Sequence, residues 1–398
     1  YYTGVKNIAI SGDWKYATQT NGKIAVIEYL GSDRNIDLTA TGLGEIETVG
    51  GYAFYRKKIE SLILPETLVQ IQRYAFADNQ ALAAVVIPAK VNYIAQYAFY
   101  ATGLESLTFA GSDLRVMERY AFGYTKKLKE LTLPAGLEKL GSYAFWKSGV
   151  QTVTFPAGTA LSEIPEGAFA ESALCTVTLP DSVTKVGESA FYRCEALASV
   201  QFGSAADLTL ESKAFYKTGL TSLYIPANVH NIGEYCFVGL ESLNNYTVDT
   251  RNKYYSAING VLYNKDGSKL IAFPAGREGN FTVPQAVENI GFGAFENSKL
   301  AEVNFAAGIN LLTLGWRAFF NAGRLEQVTI PASVVSIDYY AFAQCSALTT
   351  VNFEAGNRLT GVYEGAFYSC PNLTDIVLPD SVVEISDYAF YGCSALDR

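Results

Sequence analysis

A small residue followed by phenylalanine recurs along this chain at nearly constant spacing, and that recurrence leaves few folds open. The phenylalanines are Phe54, Phe76, Phe99, Phe122, Phe145, Phe169, Phe191, Phe215, Phe237, Phe295, Phe319, Phe342, Phe367 and Phe390. Every step between them is 22 to 25 residues, except the 58 from Phe237 to Phe295. One unit of about 23 residues cannot enclose a core alone, so it must share one with the units before and after it.

Aligned on the phenylalanine, the copies report burial column by column. Five residues earlier stand Val49, Ile71, Ile94, Met117, Leu140, Ile164, Val186, Leu210, Ile232, Ile290, Leu314, Ile337, Val362 and Ile385, apolar in every copy. Immediately before the phenylalanine the residue is Ala, or Cys236 once, so only a small side chain fits there. A later stretch reads L-x-x-[LV]-x-[LIF], as in Leu128, Leu131 and Leu133 followed by Pro134. Alternation over so short a run predicts a strand with one face buried, and the proline, lacking an N–H, stops it. Strands stacked at about 4.8 Å per coil would carry fourteen copies over roughly 70 Å. The expected fold is a leucine-rich-repeat-like, β-rich solenoid of about fourteen coils with a parallel sheet along one face.

The domain reading follows the period. Residues 49–243 and 284–398 are repeats of one continuous solenoid, and residues 1–48 read as an N-terminal β-hairpin cap around Asn21-Gly22. Residues 244–283 read as an inserted β-hairpin turning at Lys265-Asp266-Gly267-Ser268. The chain does not begin with Met, has Met117 as its sole methionine, and stops just after Leu396, where a further strand would start. These features suggest a processed or trimmed product whose targeting signal is not in this sequence.

The repeat string L-x-x-[LV]-x-[LI]-P-x-x-[VL]-x-x-I-x-x-x-A-F-x-x-[CS], met most fully in residues 174–194, resembles the BspA-like, Treponema-type leucine-rich repeats of bacterial surface proteins. The resemblance covers about residues 49–243 and 284–398. It implies an extracellular or cell-surface location and a binding role. Several members of that family act as adhesins for host or neighbouring-cell proteins, so the resemblance implies a partner of that kind, with the extracellular matrix one candidate.

Composition and charge narrow the chemistry. Acidic side chains outnumber basic ones, giving a net charge of −9, whereas nucleic-acid binders need a basic stripe. No apolar run is long enough for a transmembrane helix. The single histidine, His230, excludes sites built on two imidazoles, and it reads as a solvated turn residue. Cys194, Cys345, Cys370 and Cys393 share the column three residues after the phenylalanine with Asn79, Thr102, Thr125, Ser148, Ser172, Thr218 and Ser298. Such a column suits a small, weakly polar group satisfying turn backbone rather than a disulfide or metal ligand. Outward carboxylates on the strands, Glu130, Glu302 and Asp375, lie coils apart, so no glycosidase pair is expected. No cofactor, metal or catalytic residue is expected.

The candidate binding residues come from two columns. Two residues before the phenylalanine, Tyr52, Tyr74, Tyr97, Tyr120 and Tyr143 keep an aromatic through five consecutive coils, while the other copies mix Gly, Ser, Lys and Arg with Tyr235, Tyr340 and Tyr388. That tolerance places the column at the surface as an amphipathic stripe suited to a protein interface or to stacking a polysaccharide, unless the rings only stack on one another. The outward strand positions form a threonine-rich ladder that includes Thr132, Thr154 and Thr178. A surface protein binding a protein partner is the leading expectation; carbohydrate recognition and a passive spacer are the alternatives.

Overall fold

A computed structural model of the chain describes residues 5–396. They contain strands and turns but no helix. The chain divides into two compact units, Tyr1–Ala214 and Phe215–Arg398.

Each coil of the first unit holds two strands rather than the one the sequence reveals. The longer strands, among them Glu130–Thr132, Thr152–Thr154, Thr176–Thr178 and Ser199–Gln201, pair in parallel as anticipated. A second parallel ladder runs through two-residue strands, Gln70–Ile71, Tyr93–Ile94, Val116–Met117 and Lys139–Leu140. Its inward members Ile71, Ile94, Met117 and Leu140 are the apolar column, all buried. Two residues are too few for an alternating pattern to register. The second unit repeats the plan, with longer strands from Glu278–Val283 to Asp375–Ile376 and short ones from Thr313–Leu314 to Glu384–Ile385.

The repeat phenylalanines lie inside, ring on ring. Phe54, Phe76, Phe99 and Phe122 stack at centroid distances of 5.2, 5.1 and 5.0 Å, each fully buried. In the second unit Phe295, Phe319, Phe342 and Phe367 do the same at 4.7, 4.9 and 5.3 Å. A buried phenylalanine contributes about 1.5–3 kcal/mol by removal from water, and it recurs every coil, which accounts for its constancy.

The turn around each phenylalanine adds a third ladder. The N–H groups of Tyr74, Phe76 and Asp78 donate to the carbonyls of Gln96, Ala98 and Tyr100 in the next coil at 3.1, 2.8 and 2.8 Å. The intervening Ala75 and Ala77 amides bond within their own turn. This backbone course needs two left-handed residues. All fourteen residues two before the phenylalanine have φ between 54° and 63°, and those two after it lie between 51° and 79°. Neither column contains a β-branched residue, the side-chain type for which positive φ is most unfavourable.

The same ladder identifies two further coils that the phenylalanine period hides. Tyr29 donates to Ala53 as Phe54 does to Ala75, and its buried ring stacks on Phe54 at 5.7 Å. Phe273 donates to Ala294 and stacks on Phe295 at 5.2 Å. The solenoid therefore has about 16 turns rather than fourteen. The 58-residue gap is a 36-residue step followed by a regular one of 22.

Both hairpins of the sequence reading extend into three-stranded antiparallel meanders. Val5–Ser11, Trp14–Gln19 and Ile24–Tyr29 form the first, whose last strand pairs in parallel with Ile46–Val49. Residues 1–4 of the segment read as a cap lie outside the described residues. Tyr255–Ile258, Val261–Asn264 and Lys269–Ala272 form the second, and its last strand pairs in parallel with Asn289–Ile290. Asp266 caps the intervening turn by accepting from the Ser268 N–H at 2.9 Å. His230 is not in a solvated turn: it sits half-buried in the strand Val229–Ile232.

Candidate functional site

The five candidate tyrosines are brought together in one column of stacked rings. Tyr52, Tyr74, Tyr97, Tyr120 and Tyr143 follow one another at 4.9, 4.6, 4.9 and 5.0 Å, with interplanar angles of 15°, 2°, 16° and 12°. Tyr52 is exposed and the other four are half-buried. The spacing is that of the coils, so the backbone ladder sets the ring stack. Left-handed φ brings all five side chains out of the turn in the same direction.

The faces of the inner rings are taken up by their neighbours, and what the column offers outward is edges and hydroxyls. A second set of rings packs edge-on against it: Tyr97 meets Tyr100 at 5.4 Å and 71°, and Tyr120 meets Trp146 at 5.8 Å and 82°. Arginines close over the column. Arg73 lies 5.1 Å from the Tyr74 ring, and Arg119 lies 5.1 and 5.4 Å from the rings of Tyr120 and Tyr143. Each guanidinium held over a ring is a cation–π contact. Tyr143 donates its hydroxyl to Glu166 at 2.7 Å, and burial together with that hydrogen bond pushes the phenol up to about 12.

The run ends at Gly167 for a geometric reason. A Cβ there would stand 2.2 Å from the Tyr143 ring. The last tyrosine of a run leans over the next coil, and only glycine leaves it room. Gly365 lies under Tyr340 in the same way, with a Cβ distance of 2.5 Å. The glycines in this column thus reflect both left-handed backbone and an overlying ring.

Thr132, Thr154 and Thr178 are exposed on the longer-strand sheet, apart from the tyrosine column. Thr132 pairs directly with Thr154, and Thr178 pairs with Gln201 and donates to its side-chain oxygen at 3.2 Å. The structure therefore carries the candidates on two separate ladders. Tyr100 and Trp146 belong to the aromatic column one residue after the phenylalanine, legible in the sequence, whereas Arg73 and Arg119 were not singled out. The Arg-Tyr-Ala-Phe tetrad at residues 73–76 and again at 119–122 is the signal that would have found the arginines.

The shared column of cysteines and small polar residues serves the turn. Cys345, Cys370 and Cys393 each donate to a phenylalanine carbonyl of the preceding coil at 3.1 Å, while Thr102 and Thr125 donate to the carbonyls of Phe99 and Phe122. Asn79 donates to the carbonyls of both Phe54 and Phe76. Among the described residues no cluster of three or more His, Cys, Asp or Glu side chains converges on a metal position. No helix among them is long and apolar enough to cross a membrane.

Comparison with known proteins agrees with this architecture. The family model for the BspA type leucine rich repeat region matches residues 47–172, 162–275 and 271–397. A leucine rich cell surface protein from Faecalibacterium prausnitzii is 25% identical, with a TM-score of 0.66 over 98% of this chain and 94% of that one. The pneumococcal vaccine antigen PcpA shares the fold at 18% identity and a TM-score of 0.52, over 96% of this chain and 94% of its own. No curated protein matches the sequence. The two-strand coil, the phenylalanine stack and the family match over nearly the whole length lead to one assignment: the chain belongs to the BspA-type leucine-rich repeat family.

Proposed function

We propose that this chain is a non-enzymatic binding protein of the cell exterior, which engages a host or neighbouring-cell protein through the aromatic edge of its first unit. The observation that carries the reading is the continuous stack from Tyr52 to Tyr143 with Arg73 and Arg119 seated on it. Tyrosine and arginine dominate the energetics of protein interfaces. Rings already fixed by stacking lose little further conformational freedom when a partner arrives. The column's edges and hydroxyls suit peptide groups and side chains. A polysaccharide laid on the column would need open ring faces, and those of the inner rings are covered. Surface-protein relatives such as the Faecalibacterium prausnitzii protein support the exterior location.

The test is a solid-phase screen against extracellular-matrix proteins and polysaccharides. It compares the native chain with a variant carrying Tyr74→Ser, Tyr97→Ser and Tyr120→Ser, and with a second carrying Thr132→Ala, Thr154→Ala and Thr178→Ala. Saturable binding to a protein, lost in the first variant and kept in the second, is the expected result. Loss only in the second variant would move the site to the threonine ladder. Binding shared by all three forms would remove both surfaces, and no binding at all would favour a spacer.

A further inference from the structure

The interruption of the repeat opens a cavity in the second unit. After Tyr235 the left-handed column is interrupted, since Ile271, two residues before Phe273, lies in the strand Lys269–Ala272, and it resumes at Gly293, so no tyrosine continues the stack. In its place lies a cavity of about 310 Å³ whose lining includes His230, Tyr235, Tyr254, Phe292 and Lys269. That volume is at the lower end of the range for small-ligand clefts, roughly 300–1,000 Å³, and has room for one ring-sized group. The inserted meander supplies Tyr254 at its edge and Lys269, while the resumed repeat supplies Phe292, so the cavity exists because the insertion does.

Its walls combine two kinds of surface. Tyr254 and Phe292 are 50% and 39% exposed, unlike the half-buried rings of the inner tyrosine column. His230 meets the Tyr254 ring edge-on at 6.2 Å, and Tyr235 lies nearly parallel to Phe292 at 6.4 Å. The Tyr235 hydroxyl is buried and has no hydrogen-bond partner among the described residues. Burial pushes it up to about 12, so it remains a protonated donor. The Tyr255 hydroxyl is already engaged by the Ile232 N–H at 2.8 Å. Glu234 and Lys269 also line the cavity and offset each other in charge, which selects neither an anion nor a cation.

We propose that this cavity binds a neutral saccharide, with one pyranose ring against the Tyr254 and Phe292 rings and its hydroxyls toward Tyr235 and Lys269. A pyranose presents an apolar C–H face and a rim of hydroxyls at once, matching exposed aromatic rings beside an unpaired donor. A purely apolar side chain from a peptide would leave the Tyr235 hydroxyl without a partner. This site is independent of the aromatic edge in the first unit.

Calorimetric titration of the full chain with cellotetraose, xylotetraose, mannotetraose and chitotetraose tests the proposal. At least one should bind saturably, with an affinity unchanged between low and high salt. Tyr254→Ala and Phe292→Ala, both at exposed positions, should each weaken it up to about tenfold, as removal of one aromatic platform does. Tyr235→Phe should weaken binding without lowering the stability of the fold, because it removes only an unpaired hydroxyl. Tyr97→Ser should leave binding unchanged. Failure of all four sugars to bind, binding that survives the double Tyr254→Ala, Phe292→Ala change, a strong salt dependence, or loss in Tyr97→Ser would each overturn the proposal.

Discussion

The rings of Tyr74 and Tyr97 lie parallel to within 2°, their centroids 4.6 Å apart, although the residues are a full coil apart in sequence. Both have left-handed backbone, with φ of 55° and 59°. An isolated tyrosine in that conformation is unfavourable by about 1–2 kcal/mol. Here the ladder of amide bonds imposes the conformation, and two stacking contacts per ring, each about 0.5–1.5 kcal/mol, offset it.

Backbone and stacking can be separated at Tyr97. Tyr97→Gly loses both ring contacts but relaxes the left-handed strain, for a net destabilisation of about 0–2 kcal/mol. Tyr97→Ile loses the same contacts and adds a β-branched side chain at positive φ, and should cost about 2–4 kcal/mol. Denaturant midpoints of the two variants check this. An isoleucine variant as stable as the glycine one would mean that the turn does not hold its left-handed residue.

Gly167 and Tyr143 form a coupled pair. Gly167→Ala places a methyl group 2.2 Å from the ring position and should destabilise the chain by about 1–3 kcal/mol through the clash and the left-handed φ. In a Tyr143→Ala background the clash disappears and only the backbone component remains, about 1 kcal/mol. A double-mutant cycle measured by denaturant unfolding should therefore show coupling, and strict additivity would refute the contact.

Alkaline pH tests the phenols shielded from water. Tyr143 and Tyr263 are pushed from 10 up to about 12, chiefly by burial. A folded-state value raised above the unfolded one means that the folded chain holds the proton more tightly. The associated stability is fully present below pH 10 and is lost as the pH climbs from 10 through about 12. Tyrosinate absorbance should show these groups titrating after the exposed tyrosines. Tyr143→Phe should flatten the fall in stability over that window, and an unaltered slope would count against the assignment.

Thiol reactivity follows burial. Of six free cysteines, only Cys175 is exposed, and burial lifts the Cys194 thiol to about 11. A thiol reagent should modify one cysteine quickly in the native chain and all six after unfolding. Cys345→Ala leaves the Phe319 carbonyl without its side-chain donor and should cost about 1–2 kcal/mol, whereas Cys345→Ser keeps a donor and should cost less. Equal thermal shifts for the two variants would remove the hydrogen-bonding role.

Much of the coil was legible because burial repeats. The phenylalanine, the small residue before it and the apolar column five before it are buried in nearly every turn, the exposed Ile385 of the last copy being an exception, so one chain provides its own alignment. Tyr29 and Phe273 escaped because their coils depart from the period: one substitutes the aromatic, and the other follows a 36-residue step that contains a meander. The two-residue strands escaped because Val116 and Met117 carry too little pattern to distinguish a ladder from a turn. The tyrosine column was visible, but its variability reads as surface alone until φ shows that Gly, Ser, Lys, Arg and Tyr also share a left-handed backbone.

The sequence by itself determined the stacked repeat, its period, its buried columns and its likeness to a bacterial surface family, all consequences of local burial iterated along the chain. Only the tertiary structure decided that Tyr74 and Tyr97 cover each other's faces, that Arg119 sits over both Tyr120 and Tyr143, and that Tyr235 ends beside a cavity rather than under another tyrosine of its column. Those relationships join residues a coil or an insertion apart. They depend on the register of backbone hydrogen bonds between turns, which no single repeat encodes.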